Sequence, residues 1–93
     1  MSTPVLTREI VIRNRLGLHA RASAQFVRTA GQFQSQILVE VGSQQVNAKS
    51  IMGLLLLAAA QGTTLRLRAT GGDAAEALNA LAALVDRLFG EPE

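Results

Sequence analysis

Leu16-Gly17-Leu18-His19-Ala20-Arg21 joins two stretches of different periodicity and holds the chain's single histidine. Upstream, Glu9-Ile10-Val11-Ile12-Arg13 is rich in β-branched residues, the composition of a strand. Downstream, Ala20 to Ala30 lacks Gly and Pro and carries Ser23, Phe26, Val27 and Ala30 at helical spacing. His19 therefore sits at or just before the first turn of a helix. Backbone N–H groups there have no intrahelical acceptor, and the helix dipole presents its positive end. Such a terminus seats anions, phosphate above all. A histidine, a nearby arginine and a helix start together point to phosphoryl chemistry on an imidazole.

Further along, Ile37-Leu38-Val39-Glu40-Val41 puts Ile37, Val39 and Val41 on one face. Gly42-Ser43 supplies turn residues and Gln44-Gln45-Val46-Asn47 returns, which predicts a hairpin. Ser50 is placed to cap a short helix with its body over Ile51 to Ala59, broken by Gln61-Gly62-Thr63. Thr64 to Thr70 alternates cleanly, with Leu65, Leu67 and Ala69 inward and Arg66 and Arg68 outward. After Gly71-Gly72, Asp73 and Glu76 have the spacing of a capping box. Leu78, Leu81, Val85 and Leu88 then recur on one face of a long helix that Gly90 is expected to end.

The order is β-α-β-β-α-β-α. Strands with one apolar face need helices on that face only. The prediction is an α+β open-faced β-sandwich: a four-stranded, mostly antiparallel sheet with three helices on one face. No linker or low-complexity segment interrupts the pattern, so residues 1–93 are expected to form a single domain.

Composition narrows the function. At 93 residues, 48% of them hydrophobic, the chain supports one core and is not a disordered tail. The absence of cysteine excludes a disulfide framework and fits a reducing compartment. One histidine without cysteine also cannot supply a usual metal-ligand set. The first residues lack a secretory signal's basic start and apolar core. The longest apolar run, Leu54 to Ala60, is far short of the ~20 residues that span a bilayer. A cytoplasmic protein without membrane insertion is expected. The net charge of +2 is spread rather than blocked, and three Phe are the only aromatics, so nucleic acid is not an expected partner.

Gly17-Leu18-His19-Ala20-Arg21, then Lys49-Ser50-Ile51-Met52-Gly53, then the Thr64–Thr70 stretch and a closing amphipathic helix resemble the HPr family. These are the histidine-containing phosphocarriers of the bacterial phosphoenolpyruvate:sugar phosphotransferase system. The resemblance covers almost the whole chain and implies the open-faced sandwich already reached. It implies that His19 accepts a phosphoryl group on Nδ1 from enzyme I and passes it to the A domains of enzyme II complexes. The chain would then be a carrier modified by its partners, not a turnover enzyme, working as a monomer without cofactor. Arg21 matches the family's active-site arginine. Ser50 matches the serine that an HPr kinase/phosphorylase modifies with ATP in some lineages. Ile51, Met52 and Leu55 match an exposed apolar patch where partners dock.

Two positions depart from the family pattern. Ala22 stands where the family usually has proline, a residue whose fixed φ suits a first helical turn. Leu16 replaces an Asn, Ser or Thr three residues before the histidine, so an orienting bond to the ring is expected from backbone or water. The chemistry itself is ordinary. A neutral imidazole nitrogen is a competent nucleophile, and helix amides with an arginine can neutralise the oxygens in transit. Within the carrier reading, the alternative is a carrier of the nitrogen-related branch with a mainly regulatory role; an alternative of another kind is a non-catalytic βαβ interaction module.

Overall fold

Alternation along the third apolar stretch decides the sheet. The computed structural model describes residues 4–93, and in it β4 spans Thr64–Thr70 with Leu65, Leu67 and Ala69 fully buried. β4 pairs on one side with β1 (Val5–Val11) and on the other with β2 (Gln36–Val41), which in turn pairs with β3 (Gln44–Asn47). The strand order is β1-β4-β2-β3. All three ladders are antiparallel, so the expected "mostly antiparallel" sheet is wholly so among the described residues. Register aligns Ile10 with Leu65, Val39 with Leu67 and Ile37 with Ala69, which builds one continuous apolar face.

Three helices cover that face: α1 (Ala20–Ala30), α2 (Ile51–Leu57) and α3 (Ala74–Asp86). Phe26 from α1, Leu54 from α2 and Leu81 from α3 are fully buried in a core shared with the sheet. The opposite face is polar. Arg66 pairs with Glu9 at 3.2 Å and Arg68 with Glu40 at 2.9 Å. The sequence thus forms the βαββαβα open-faced sandwich expected of it.

Boundaries differ in four places. β1 begins at Val5 rather than Glu9 and ends before Ile12, because its ladder with β4 runs from Val5–Thr70 to Val11–Thr64. This is an edge strand with only Ile10 buried, and backbone pairing alone extends it. α2 stops at Leu57, not Ala59. Ala58 turns left-handed at φ 51°, its N–H closing on Leu55 O at 3.1 Å, and Ala59 is thereby tucked into the core.

The expected capping box at α3 does not form. The Asp73 side chain makes no cap bond, although Asp73 is the residue before the helix. Its carboxylate instead accepts from the Ser35 hydroxyl, from Gln34 N at 2.8 Å and from Ser35 N at 3.0 Å. It braces the loop entering β2, and these donors, the Ser35 hydroxyl foremost, hold its pKa below the usual carboxylate value. Finally, α3 ends at Asp86 rather than running to Gly90. A 3-10 turn follows over Leu88–Gly90, with Leu88 at φ 58° and Phe89 at φ 56°. Two non-glycine residues in the left-handed region cost about 2–4 kcal/mol together. Burial of the Phe89 ring, only 2% exposed, returns roughly 1.5–3 kcal/mol of that. The turn exists because an aromatic side chain holds it in the core.

Candidate functional site

Gly17 makes the junction between β1 and α1 possible. It sits at φ 67°, and a Cβ there would lie 2.5 Å from the Ala59 carbonyl oxygen. The close approach lets Leu18 N donate to that same carbonyl at 2.9 Å. Ile12 N also donates to Thr63 O, and Gly62 N to Ile12 O. The segment preceding the histidine is therefore clamped to the loop between α2 and β4.

His19 is the N-cap residue of α1, extended at φ −71° and ψ −179°, and its carbonyl accepts from Ser23 N at 2.8 Å. This is the position predicted for it. The amides of Ala20, Arg21 and Ala22 find no backbone acceptor among the described residues, as a helix start requires. Ala22, in the place of the usual proline, is fully buried within an intact first turn. The Ser23 hydroxyl donates to Leu18 O at 3.0 Å, tying the helix back to the junction.

The histidine ring does not cap the helix. Its Nε2 lies 2.5 Å from Glu91 Oε2, in the tail beyond α3, while Nδ1 makes no hydrogen bond among the described residues. The other carboxylate oxygen of Glu91 accepts from Asn14 Nδ2 at 2.9 Å. Asn14 is fully buried and also donates to Gly17 O at 2.9 Å. One amide thus ties the glycine turn to the tail, and the tail to the imidazole. Asn14 Oδ1 is buried without a partner among the described residues. Such an orphaned acceptor costs about 1–3 kcal/mol.

Burial alone would raise the Glu91 pKa. The Asn14 and His19 hydrogen bonds outweigh it, together with the charges of His19 and Arg21, and the carboxyl is held below its ordinary value. The anion is the form that faces the ring. Around it lies a shallow hollow of about 260 Å³, with Arg15, Leu16, His19 and Arg21 on one wall and Glu91, Pro92 and Glu93 on the other. The His19 side chain is 28% exposed there. Arg21 is exposed and forms no ion pair or hydrogen bond among the described residues, so its guanidinium is available to an incoming anion. Among those residues no group of three or more His, Cys, Asp or Glu is placed to hold a metal ion. No described helix is long and apolar enough to cross a membrane.

Ser50 caps α2 as predicted, its Oγ accepting from Gly53 N at 3.1 Å. Ile51, Met52 and Leu55 are exposed by 43%, 71% and 38%. Leu56 and Leu16 are exposed as well, and neither was expected in the docking patch. Asn14 and Glu91 were missed as well, and the ring's orienting bond was expected from backbone or water. A side chain supplies it, 72 positions away in the chain. No local pattern announces such a contact.

A family model described as the PTS HPr component phosphorylation site matches residues 6–87 of this chain. Phosphocarrier protein HPr of Neisseria meningitidis is 52% identical over 89 residues, covering 96% of this chain and all of that protein. Phosphocarrier protein NPr of Shewanella violacea is 42% identical over 86 residues, 92% of this chain and 94% of that one. The crystal structure of HPr-C-His from Thermoanaerobacter tengcongensis superposes with a TM-score of 0.91 at 48% identity, covering 95% of this chain and 99% of that one.

Proposed function

This chain belongs to the HPr family of phosphocarriers, and from that premise we propose that His19 Nδ1 receives a phosphoryl group from enzyme I and delivers it to the A domains of enzyme II complexes. The observation that carries the reading is the state of the ring: Nε2 is engaged by Glu91 and Nδ1 has no partner among the described residues. The unengaged nitrogen attacks phosphorus while the bond from phosphorus to the donor breaks. Its product, a phosphoramidate, is labile enough to hand the group on. Helix-start amides and Arg21 offset the charge on the transferred oxygens, which is most of what a protein contributes to phosphoryl transfer.

Docking falls to Ile51, Met52 and Leu55, whose exposure beside the start of α2 supports an apolar contact surface. Ser50, at the edge of that surface, is the modification site for an HPr kinase/phosphorylase in a host that has one. A phosphate there adds about two negative charges next to apolar side chains and weakens partner docking. Asn14, His19, Arg21 and Glu91 all come from one chain, so a monomer suffices for the carrier role. Such a chain turns nothing over by itself; its partners modify and demodify it.

The test is labelling with enzyme I and radiolabelled phosphoenolpyruvate. The wild-type chain takes up one acid-labile phosphate and the His19→Ala variant takes up none. Label retained by His19→Ala, or absent from the wild type, overturns the proposal. Exchange with enzyme I and A domains of the sugar or the nitrogen-related system then separates the two branches.

A further inference from the structure

We infer that Glu91, held by Asn14, is a positioning residue that fixes the tautomer and orientation of His19. The inference rests on the carrier reading and deepens it, because it assigns the ring's second nitrogen a task. Glu91 lies outside the segment matched by the family model, which ends at residue 87.

Three observations converge. Glu91 Oε2 meets Nε2 at 2.5 Å, and a carboxylate accepts but does not donate. The ionised form is the favoured one, so in the neutral ring the proton resides on Nε2 and the lone pair on Nδ1. Asn14 fixes the carboxylate in turn. Its Nδ2 has two acceptors, Glu91 Oε1 and Gly17 O, and this leaves the amide one orientation. The arrangement also places a buried polar side chain with an orphaned oxygen where an apolar residue would cost less. A group retained at that cost beside a reactive ring is doing more than filling space.

The chemistry follows from charge. When Nδ1 attacks, the Nδ1–P bond forms, the donor departs with its bonding electron pair, and Nε2 keeps its proton. The ring therefore becomes more positive as the bond forms, and the carboxylate already faces the proton that carries that charge. Glu91 sets the nucleophile before transfer and stabilises the ring during it. Its partner Asn14 keeps the geometry fixed, which matters because reorganisation during the step would forfeit the gain.

Two readouts test this on the full chain. Nitrogen-15 chemical shifts of the His19 ring above neutral pH report the tautomer directly. Steady-state phosphorylation by enzyme I at varied carrier concentration separates kcat from KM. The wild type holds one Nε2–H tautomer. Glu91→Ala shows a mixture of tautomers, and kcat falls about tenfold, the scale of one hydrogen bond to a charged group, with KM within about twofold. Glu91→Gln keeps an acceptor for Nε2–H, so it restores the tautomer and part of the rate. Wild-type shifts and kcat in Glu91→Ala overturn the inference. So do equal rate losses in the Ala and Gln variants with wild-type shifts and lowered melting temperatures, which mark a merely structural contact. A wild-type chain that takes no phosphate, yet whose tautomer responds to Glu91→Ala, sinks the carrier reading and leaves the positioning role supported.

Discussion

Replacing Gly17 by alanine probes the junction that delivers the histidine. Gly17 sits at φ 67°, and the left-handed conformation costs a non-glycine residue about 1–2 kcal/mol. Alanine recovers about 0.4–1 kcal/mol by narrowing the unfolded ensemble. Those two effects alone leave about 0–1.5 kcal/mol of destabilisation. The added methyl, however, lands 2.5 Å from Ala59 O, where ordinary contact starts near 3.4 Å. The junction must therefore draw back by roughly 1 Å, and the Leu18 N to Ala59 O bond lengthens or breaks. That adds about 0.5–1.5 kcal/mol, for about 0.5–3 kcal/mol in all before any loosened packing of Leu18.

Gly42→Ala is the matched control. Its φ is 58°, and nothing lies within 4 Å of the added Cβ. The strain is the same and the clash is absent, so about 1 kcal/mol is expected. For a domain of this size, 1 kcal/mol shifts the melting temperature by roughly 4–8 °C. Calorimetry should place Gly42→Ala within about 8 °C of wild type and Gly17→Ala a further 2–12 °C or so lower, the share of the clash alone. Equal destabilisation of the two variants would refute the close-approach argument and leave only the backbone strain. The Gly17 variant should also phosphorylate more slowly than its remaining folded fraction explains, because the histidine is carried on the displaced segment.

Arg21→Lys keeps a positive charge but loses the planar fork that matches phosphate oxygens, so transfer from enzyme I should slow several-fold with unchanged stability. Ser50→Ala removes the α2 cap and should lower unfolding free energy by ~0.5–2 kcal/mol in urea titrations, while also abolishing ATP-dependent modification by an HPr kinase. Asp73 has a folded-state pKa below its ordinary value of 3.8, so the stability it contributes is full above that value and lost as pH falls through the lower one. The difference in urea midpoint between wild type and Asp73→Asn should therefore be constant near neutrality and shrink below about pH 4. A gap that stays constant into strong acid would contradict the assignment.

How far the sequence could be read depended on how local each cause was. α1 runs from Ala20 to Ala30 as its spacing predicts, because a Gly- and Pro-free amphipathic stretch carries its own boundaries. β4 is likewise written in its alternation. The start of β1 was not legible, since Val5 to Arg8 show no apolar alternation and owe their conformation to β4's unpaired edge. Asp73 has a capping-box spacing, yet the backbone of Gln34 and Ser35 competes for its oxygens and wins. That competitor lies across the fold. The site divides the same way. His19, Arg21 and Ser50 sit on helix starts that local rules find, whereas Asn14 and Glu91 meet only once the tail has crossed the molecule.

The crossing itself depends on Phe89. Left-handed dihedrals at Leu88 and Phe89 bend the chain back toward the histidine, and the buried ring keeps them so. The imidazole's partner Glu91 is therefore held in place by a turn that a buried side chain two residues earlier maintains. Trimming that ring, as in Phe89→Ala, should release the tail and withdraw the carboxylate from the imidazole, although Phe89 lines no part of the hollow. If Glu91 positions the ring as proposed, a packing residue that no phosphate meets would set how fast the chain is phosphorylated.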